Sequence, residues 1–197
     1  MDSLKDICLI EDSRQQVHKH DTKNAYFESQ GIRLLRSKLP FGDYSILGKG
    51  NLVVDTKKDF MELAGNLTKD HIRFRNEITN ANSYGIGIVI LIEEEDFYAN
   101  LDVFAKWYNI PVYKNDSFKT INGRRIKAHS KGQPMASFNV ATLVKAMKTM
   151  QEKYAVLFRF TTKEKCGEEI IKILYYKADA YNEYFKNKLS NKGTENK

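Results

Sequence analysis

The chain has 197 residues, of which 42% are hydrophobic and 29% charged, with a formal net charge of +7 and a mean hydropathy of −0.54. That size suits one α/β domain with a substantial core and one long embellishment. The composition excludes a wholly disordered chain, and no apolar run approaches the roughly 20 residues of a membrane helix. Two cysteines, Cys8 and Cys166, exclude a disulfide framework and a CxxC metal pair.

Ile7-Cys8-Leu9-Ile10 is a short apolar run ending in Glu11-Asp12, which predicts a buried strand with acidic residues at its end. A polar loop follows to about Asp21, where Asp21 or Thr22 can cap a helix over 23–30 that Gly31 ends. The next strand spans 32–38 and Pro40 closes it. Residues 58–67 and 69–82 read as helices, the second with Ile72, Ile78 and Tyr84 among its apolar positions. Ile86 to Ile92 is nearly all β-branched and leucine, the pattern of a strand buried on both faces of a mixed sheet.

Residues 96–107 read as a helix, stopped by Asn109-Ile110-Pro111, and a basic stretch poor in hydrophobics then runs to Pro134. A stretch of that length is expected as a functional or flexible loop inserted into the domain, at about 109–135. A helix over 137–153, a strand over 155–160 and a last helix over 163–185, with Ile170, Ile171 and Leu174 inward, complete the order. The domain is expected to span 1–185 and a polar, lysine-rich tail 186–197.

Chemistry concentrates between these elements. Phe41-Gly42-Asp43-Tyr44 and Val53-Val54-Asp55-Thr56-Lys57 read as two strands of a hairpin turning at Gly48-Lys49-Gly50. With that turn and no bulge, Asp43 stands directly opposite Asp55, and Lys57 shares the face of Asp55. Facing carboxylates repel, and a divalent cation between them reverses the penalty. Two turn-flanking surface acids with an exposed lysine is the plainer alternative. His18, His20 and His71 lack a fourth ligand at zinc spacing and are expected to be loop histidines.

The charge is uneven. Between Phe104 and Gln133 stand Lys106, Lys114, Lys119, Arg124, Arg125, Lys127 and Lys131 against Asp116 alone. A polyanion such as nucleic acid suits that segment, since phosphate neutralisation supplies most sequence-independent affinity; a solvated loop is the bland alternative. Tyr98, Trp107, Tyr108, Tyr113 and Phe118 interleave with it and can stack on unpaired bases, although core packing explains Trp107 equally well.

The strand order and the motifs Asp12-Ser13-Arg14-Gln15, Gly42-Asp43-Tyr44, Asp55-Thr56-Lys57 and Arg73-Phe74-Arg75-Asn76-Glu77 resemble the PD-(D/E)XK superfamily, and more specifically the XPF-type structure-specific endonucleases, over about residues 5–180. The resemblance implies a restriction-endonuclease-like core and Mg²⁺- or Mn²⁺-dependent hydrolysis of DNA. Asp43 and Asp55 would hold the metal with the Thr56 carbonyl, and Lys57 would orient water or stabilise charge on phosphorus. Asp12 would serve a second metal or act behind the first, and Arg14 would grip phosphate, with Arg73 and Lys58 as further contacts. It implies branched DNA as the substrate and pairing as a homodimer, with no membrane partner and no nucleotide cofactor. Together with a start that lacks a signal sequence, it places the protein in the cytoplasm of a bacterium or a phage-infected host.

The sequence departs from the family at four places: Asp55 stands for a glutamate, Thr56 for an arginine, Gln15 for the last acid of the first motif and Met61 for a later aspartate. Lys58, Arg14 or Arg73 can replace the lost phosphate grip, and Asp59 or Glu62 the lost acid. Two other functions stand beside the endonuclease: a non-catalytic DNA-binding scaffold with a decayed site, and a restriction-type duplex endonuclease.

Overall fold

The computed structural model describes residues 4–16, 20–94, 117–121, 124–128 and 140–190. After a 3₁₀ turn at Leu4–Asp6 come β1 (Cys8–Asp12), α1 (Asp21–Ser29), β2 (Arg33–Ser37), β3 (Tyr44–Ile46), β4 (Lys49–Lys57), α2 (Phe60–Thr68), α3 (His71–Ser83) and β5 (Gly87–Glu93). A hairpin of β6 (Ser117–Ile121) and β7 (Arg124–Ala128) follows, then α4 (Val140–Lys153), β8 (Val156–Thr161), α5 (Cys166–Ile171), a π-helical turn (Lys172–Tyr176) and α6 (Ala178–Ser190).

Six strands form one mixed sheet in the order β2-β1-β3-β4-β5-β8. The β1–β2, β4–β5 and β5–β8 pairs are parallel, and β3 is antiparallel to both its neighbours. Helices cover both faces. Ile88, Ile90 and Ile92 of β5 pack with Phe60, Leu63, Phe74, Ile78, Leu143 and Met147 from α2, α3 and α4. Val89 and Leu91, turned the other way by strand alternation, pack with Phe27, Ile170, Leu174 and Phe185 from α1 and the C-terminal helices. Burial on both sides explains the unbroken apolar run of β5. This is the α/β mixed sheet flanked by helices that the sequence led us to expect.

Several local expectations are corrected. The β3–β4 hairpin pairs Ile46 with Lys49, so the turn is Leu47-Gly48 rather than residues 48–50, and an irregularity follows before Tyr44 pairs with Val54. The bulge absorbs the displaced turn, so Asp43 and Asp55 each lie one residue beyond the Tyr44–Val54 pair. Ile72 and Tyr84 are exposed, leaving Phe74, Ile78 and Ala81 as the buried face of α3. The last helix is interrupted by the π-helical turn and runs to Ser190, past the expected end at 185. The basic stretch expected as a loop contains the β6–β7 hairpin, a two-stranded sheet of its own. The helix expected at 96–107 and Lys131 lie outside the described residues.

Candidate metal and nucleic-acid site

β3 and β4 bring Asp43, Asp55, Thr56 and Lys57 to one cleft. Gly42 has φ +66°, and a Cβ there would stand 3.1 Å from both the Val54 carbonyl oxygen and a Val53 methyl, so the approach to Asp43 requires glycine. The chain is then pinned by the Asp43 N–H donating to the Val54 carbonyl and the Asp12 N–H donating to the Asp43 carbonyl, both at 2.8 Å. One Asp43 oxygen, Oδ2, accepts from the Thr56 N–H at 2.8 Å and the Thr56 hydroxyl at 2.6 Å. The other, Oδ1, accepts from the Gln15 amide at 2.5 Å.

Asp55 is buried, and its Oδ2 lies 2.7 Å from the Lys57 ammonium. Burial pushes its carboxyl up to about 7; Lys57 opposes the rise, while Asp43 and Glu77 add to it. For Lys57 burial acts downward, but the attraction of Asp55 wins and its pKa is raised. Its ammonium also sits 5.9 Å from the centroid of the Phe74 ring.

Two hard-oxygen carboxylates that repel each other across a cleft suit a divalent cation. Among the described residues no group of three or more His, Cys, Asp and Glu forms a metal cage. A two-carboxylate donor set matches Mg²⁺, which keeps several waters and takes only one or two protein carboxylates. In donor chemistry alone, these oxygens are of the kind such an ion takes.

The cleft has a volume of about 520 Å³, and Lys58, Glu62, Lys163, His20, Lys23 and Glu93 line it together with the cluster. Asp59, a candidate for the missing acid, instead caps α2 by accepting from the Glu62 N–H at 2.8 Å, while Glu62 accepts from the Lys58 N–H at 2.9 Å.

Asp12 and Arg14 are drawn together rather than into this cleft. The Arg14 N–H and Nε donate to Asp12 Oδ1 at 2.9 and 3.0 Å, and a guanidinium nitrogen also reaches the Leu39 carbonyl. Burial pushes the Asp12 carboxyl upward, but the Arg14 hydrogen bonds outweigh it and its pKa is lowered. Arg14 and Arg73 line a second, more open groove with Lys69, Asn76, Glu77 and Asn80. Arg73 approaches Asp70, one turn earlier on the same helix, at 3.6 Å. Arg124, Arg125 and Lys127 lie on β7, with Arg125 paired to Thr120 and Lys127 to Phe118.

Sequence reasoning missed part of the site. His20, expected to be a loop histidine, is buried and hydrogen-bonded at the start of α1, as is Lys23 one turn on. The signal was the spacing of Lys23 and Phe27, which share one face of α1 at i,i+4 and are its two buried residues. Lys163 carried no local pattern.

The mixed sheet and its flanking helices form a fold shared with solved structures of XPF. Among solved structures, XPF from Aeropyrum pernix superposes with a TM-score of 0.54 at 13% identity, over 88% of this chain and 68% of that one. The same protein in complex with DNA superposes with a TM-score of 0.54 at 12% identity, over 88% of this chain and 66% of that one. The chain thus spans about two thirds of the length of these neighbours. No family model and no curated protein matches the sequence. No helix among the described residues is long and apolar enough to cross a membrane.

Proposed function

We propose that the protein is a divalent-metal-dependent DNA endonuclease that cuts branched DNA, such as a flap, fork or Holliday junction, in replication, recombination or repair. The observation that carries the proposal is the buried Asp43 and Asp55 pair with Lys57 beside it, set in a cleft of an XPF-like fold.

Asp43 and Asp55 would hold Mg²⁺ or Mn²⁺ with the Thr56 carbonyl. When bound, the ion supplies the positive charge that polarises a phosphoryl oxygen and acidifies the attacking water. Thr56 fixes the Asp43 carboxylate through two donors to one oxygen, and Lys57 holds its proton beside Asp55, placing a fixed positive charge where phosphate charge develops. Arg14 and Arg73 grip phosphates in the open groove, and Lys58 and Lys163 do so at the cleft. Asp12 orients Arg14, or serves a second ion once that pairing opens. The segment at about 109–135, with Arg124, Arg125, Lys127 and Lys131, is an insertion that contacts DNA backbone. Pairing as a homodimer and a cytoplasmic location complete the proposal.

A second reading is supported by the hydrogen bonds themselves: both Asp43 oxygens already accept from protein donors, as a decayed, DNA-binding scaffold would show. Incubation of the purified chain with labelled duplex, flap, fork and four-way DNA in Mg²⁺, Mn²⁺ or EDTA separates the two. The nuclease reading expects metal-dependent cleavage of branched DNA that Asp43→Ala and Asp55→Ala abolish. Binding without cleavage under every metal condition selects the scaffold.

A further inference from the structure

Behind Asp43 runs a line of polar side chains that the metal and phosphate roles leave unused. Gln15 donates its amide N–H to Asp43 Oδ1, and its carbonyl oxygen lies 3.0 Å from His20 Nε2. On the far side of the ring, His20 Nδ1 lies 3.0 Å from the Lys23 ammonium, which also contacts the Glu93 carboxylate. His20 and Lys23 are 6% and 4% exposed, and Tyr44 packs edge-on against the imidazole with centroids 6.2 Å apart.

Donor and acceptor counting gives this line a direction. An ammonium has donors only, so His20 Nδ1 must be its acceptor and the ring proton must sit on Nε2. An Nε2–H needs an acceptor, so the Gln15 oxygen turns toward His20 and its NH₂ turns toward Asp43. Rotating that amide by half a turn would place its oxygen against the Asp43 carboxylate and its NH₂ against the ring N–H, two repulsions at once. Every donor therefore points toward Asp43.

The geometry points to Lys23 and Glu93 as positioning residues for Asp43: the Lys23 ammonium, anchored by Glu93, holds His20 in the Nε2–H tautomer, and that tautomer fixes the Gln15 amide with its nitrogen on Asp43 Oδ1. Lys23 and Glu93 are 70 residues apart in sequence, and the pair ties α1 to the end of β5 at the site. Its consequence for metal binding rests on the function proposed above; its consequence for the tautomer does not. Partners that orient a ligand carry about tenfold to a hundredfold in metal affinity.

The test uses the full chain. Long-range ¹H–¹⁵N spectra of the metal-free protein should show His20 neutral with its proton on Nε2. Lys23→Met alone would strand a buried carboxylate and risk the fold, so the main variant is Lys23→Met with Glu93→Met. It should release the tautomer into a mixture, while Glu93→Gln, which leaves the amine in place, should keep it. An Nδ1–H or doubly protonated ring in the native protein, or a tautomer unchanged in the double variant, overturns the proposal. Mn²⁺ titration by calorimetry forms the second arm. The double variant should bind Mn²⁺ about tenfold to a hundredfold more weakly. Native binding with equal affinity in the variant overturns the positioning role. Absence of Mn²⁺ binding to the native chain, with the tautomer result as expected, overturns the metal-site reading and leaves the tautomer lock standing.

Discussion

Thr56 gives both its backbone N–H and its hydroxyl to the same oxygen of Asp43. At this position the sequence resemblance led us to expect an arginine, and the threonine serves the carboxylate instead. Thr56→Val keeps the backbone donor and removes the hydroxyl, leaving one contact to a charged, buried acceptor. We expect a loss of about 1–2 kcal/mol in stability and about tenfold in Mn²⁺ affinity, with Thr56→Ser close to native in both. Urea denaturation and calorimetric titration measure the two, and unchanged values for Thr56→Val would show that the hydroxyl contributes nothing.

Asp55 predicts the pH dependence of the metal-free protein. Its folded pKa of about 7 stands above the ordinary 3.8. The folded state therefore binds the proton more tightly, and its contribution to stability is full below about 4 and lost as pH rises through 7. A loss on the order of 4 kcal/mol follows from a shift of that size. Asp55→Asn should flatten the profile between pH 4 and 7, and saturating Mg²⁺ should restore native stability above pH 7. A native profile that rises across this window would contradict the assignment.

Arg14 and Arg73 in the open groove should each account for about one phosphate contact. Replacing both with alanine should weaken binding to every DNA form alike and reduce the salt slope by about 2. Reversal of Arg124, Arg125 and Lys127 to glutamate should lower the slope further if the hairpin touches backbone. Fluorescence anisotropy at several salt concentrations reads both, and an unaltered slope for either set removes that surface from the interface.

Gly87 opens β5 directly beneath Phe185 of α6. A Cβ at this position would lie 2.1 Å from the Phe185 ring. Gly87→Ala should cost about 2 kcal/mol or more through forced repacking. It should move the urea midpoint at constant slope, and Phe185→Leu in the same background should recover part of the loss.

What could be read from the sequence followed the physics of each element. β5 was legible because five successive apolar residues, Ile88 to Ile92, admit one environment, and Asp43, Asp55 and Lys57 because strand alternation carries them to one place. The turn was misplaced because Gly48-Lys49-Gly50 and Leu47-Gly48 differ by one residue, and the bulge that compensates leaves no mark in a pattern of period two. The break in the last helix was equally silent, since Lys172–Tyr176 is apolar and aromatic in a helical rhythm. His20, Lys23 and Glu93 were invisible as a group because their meeting depends on how α1 docks against the end of β5, and no local spacing encodes docking.

The two kinds of contact around Asp43 differ in how far the chain must return to make them. Thr56 lies 13 residues away, whereas the Lys23–Glu93 link closes 70. Loop-closure entropy opposes the longer link by about 1.5 kcal/mol more. A partly loosened molecule therefore sheds the tether behind Gln15 while the hairpin still keeps both aspartates together.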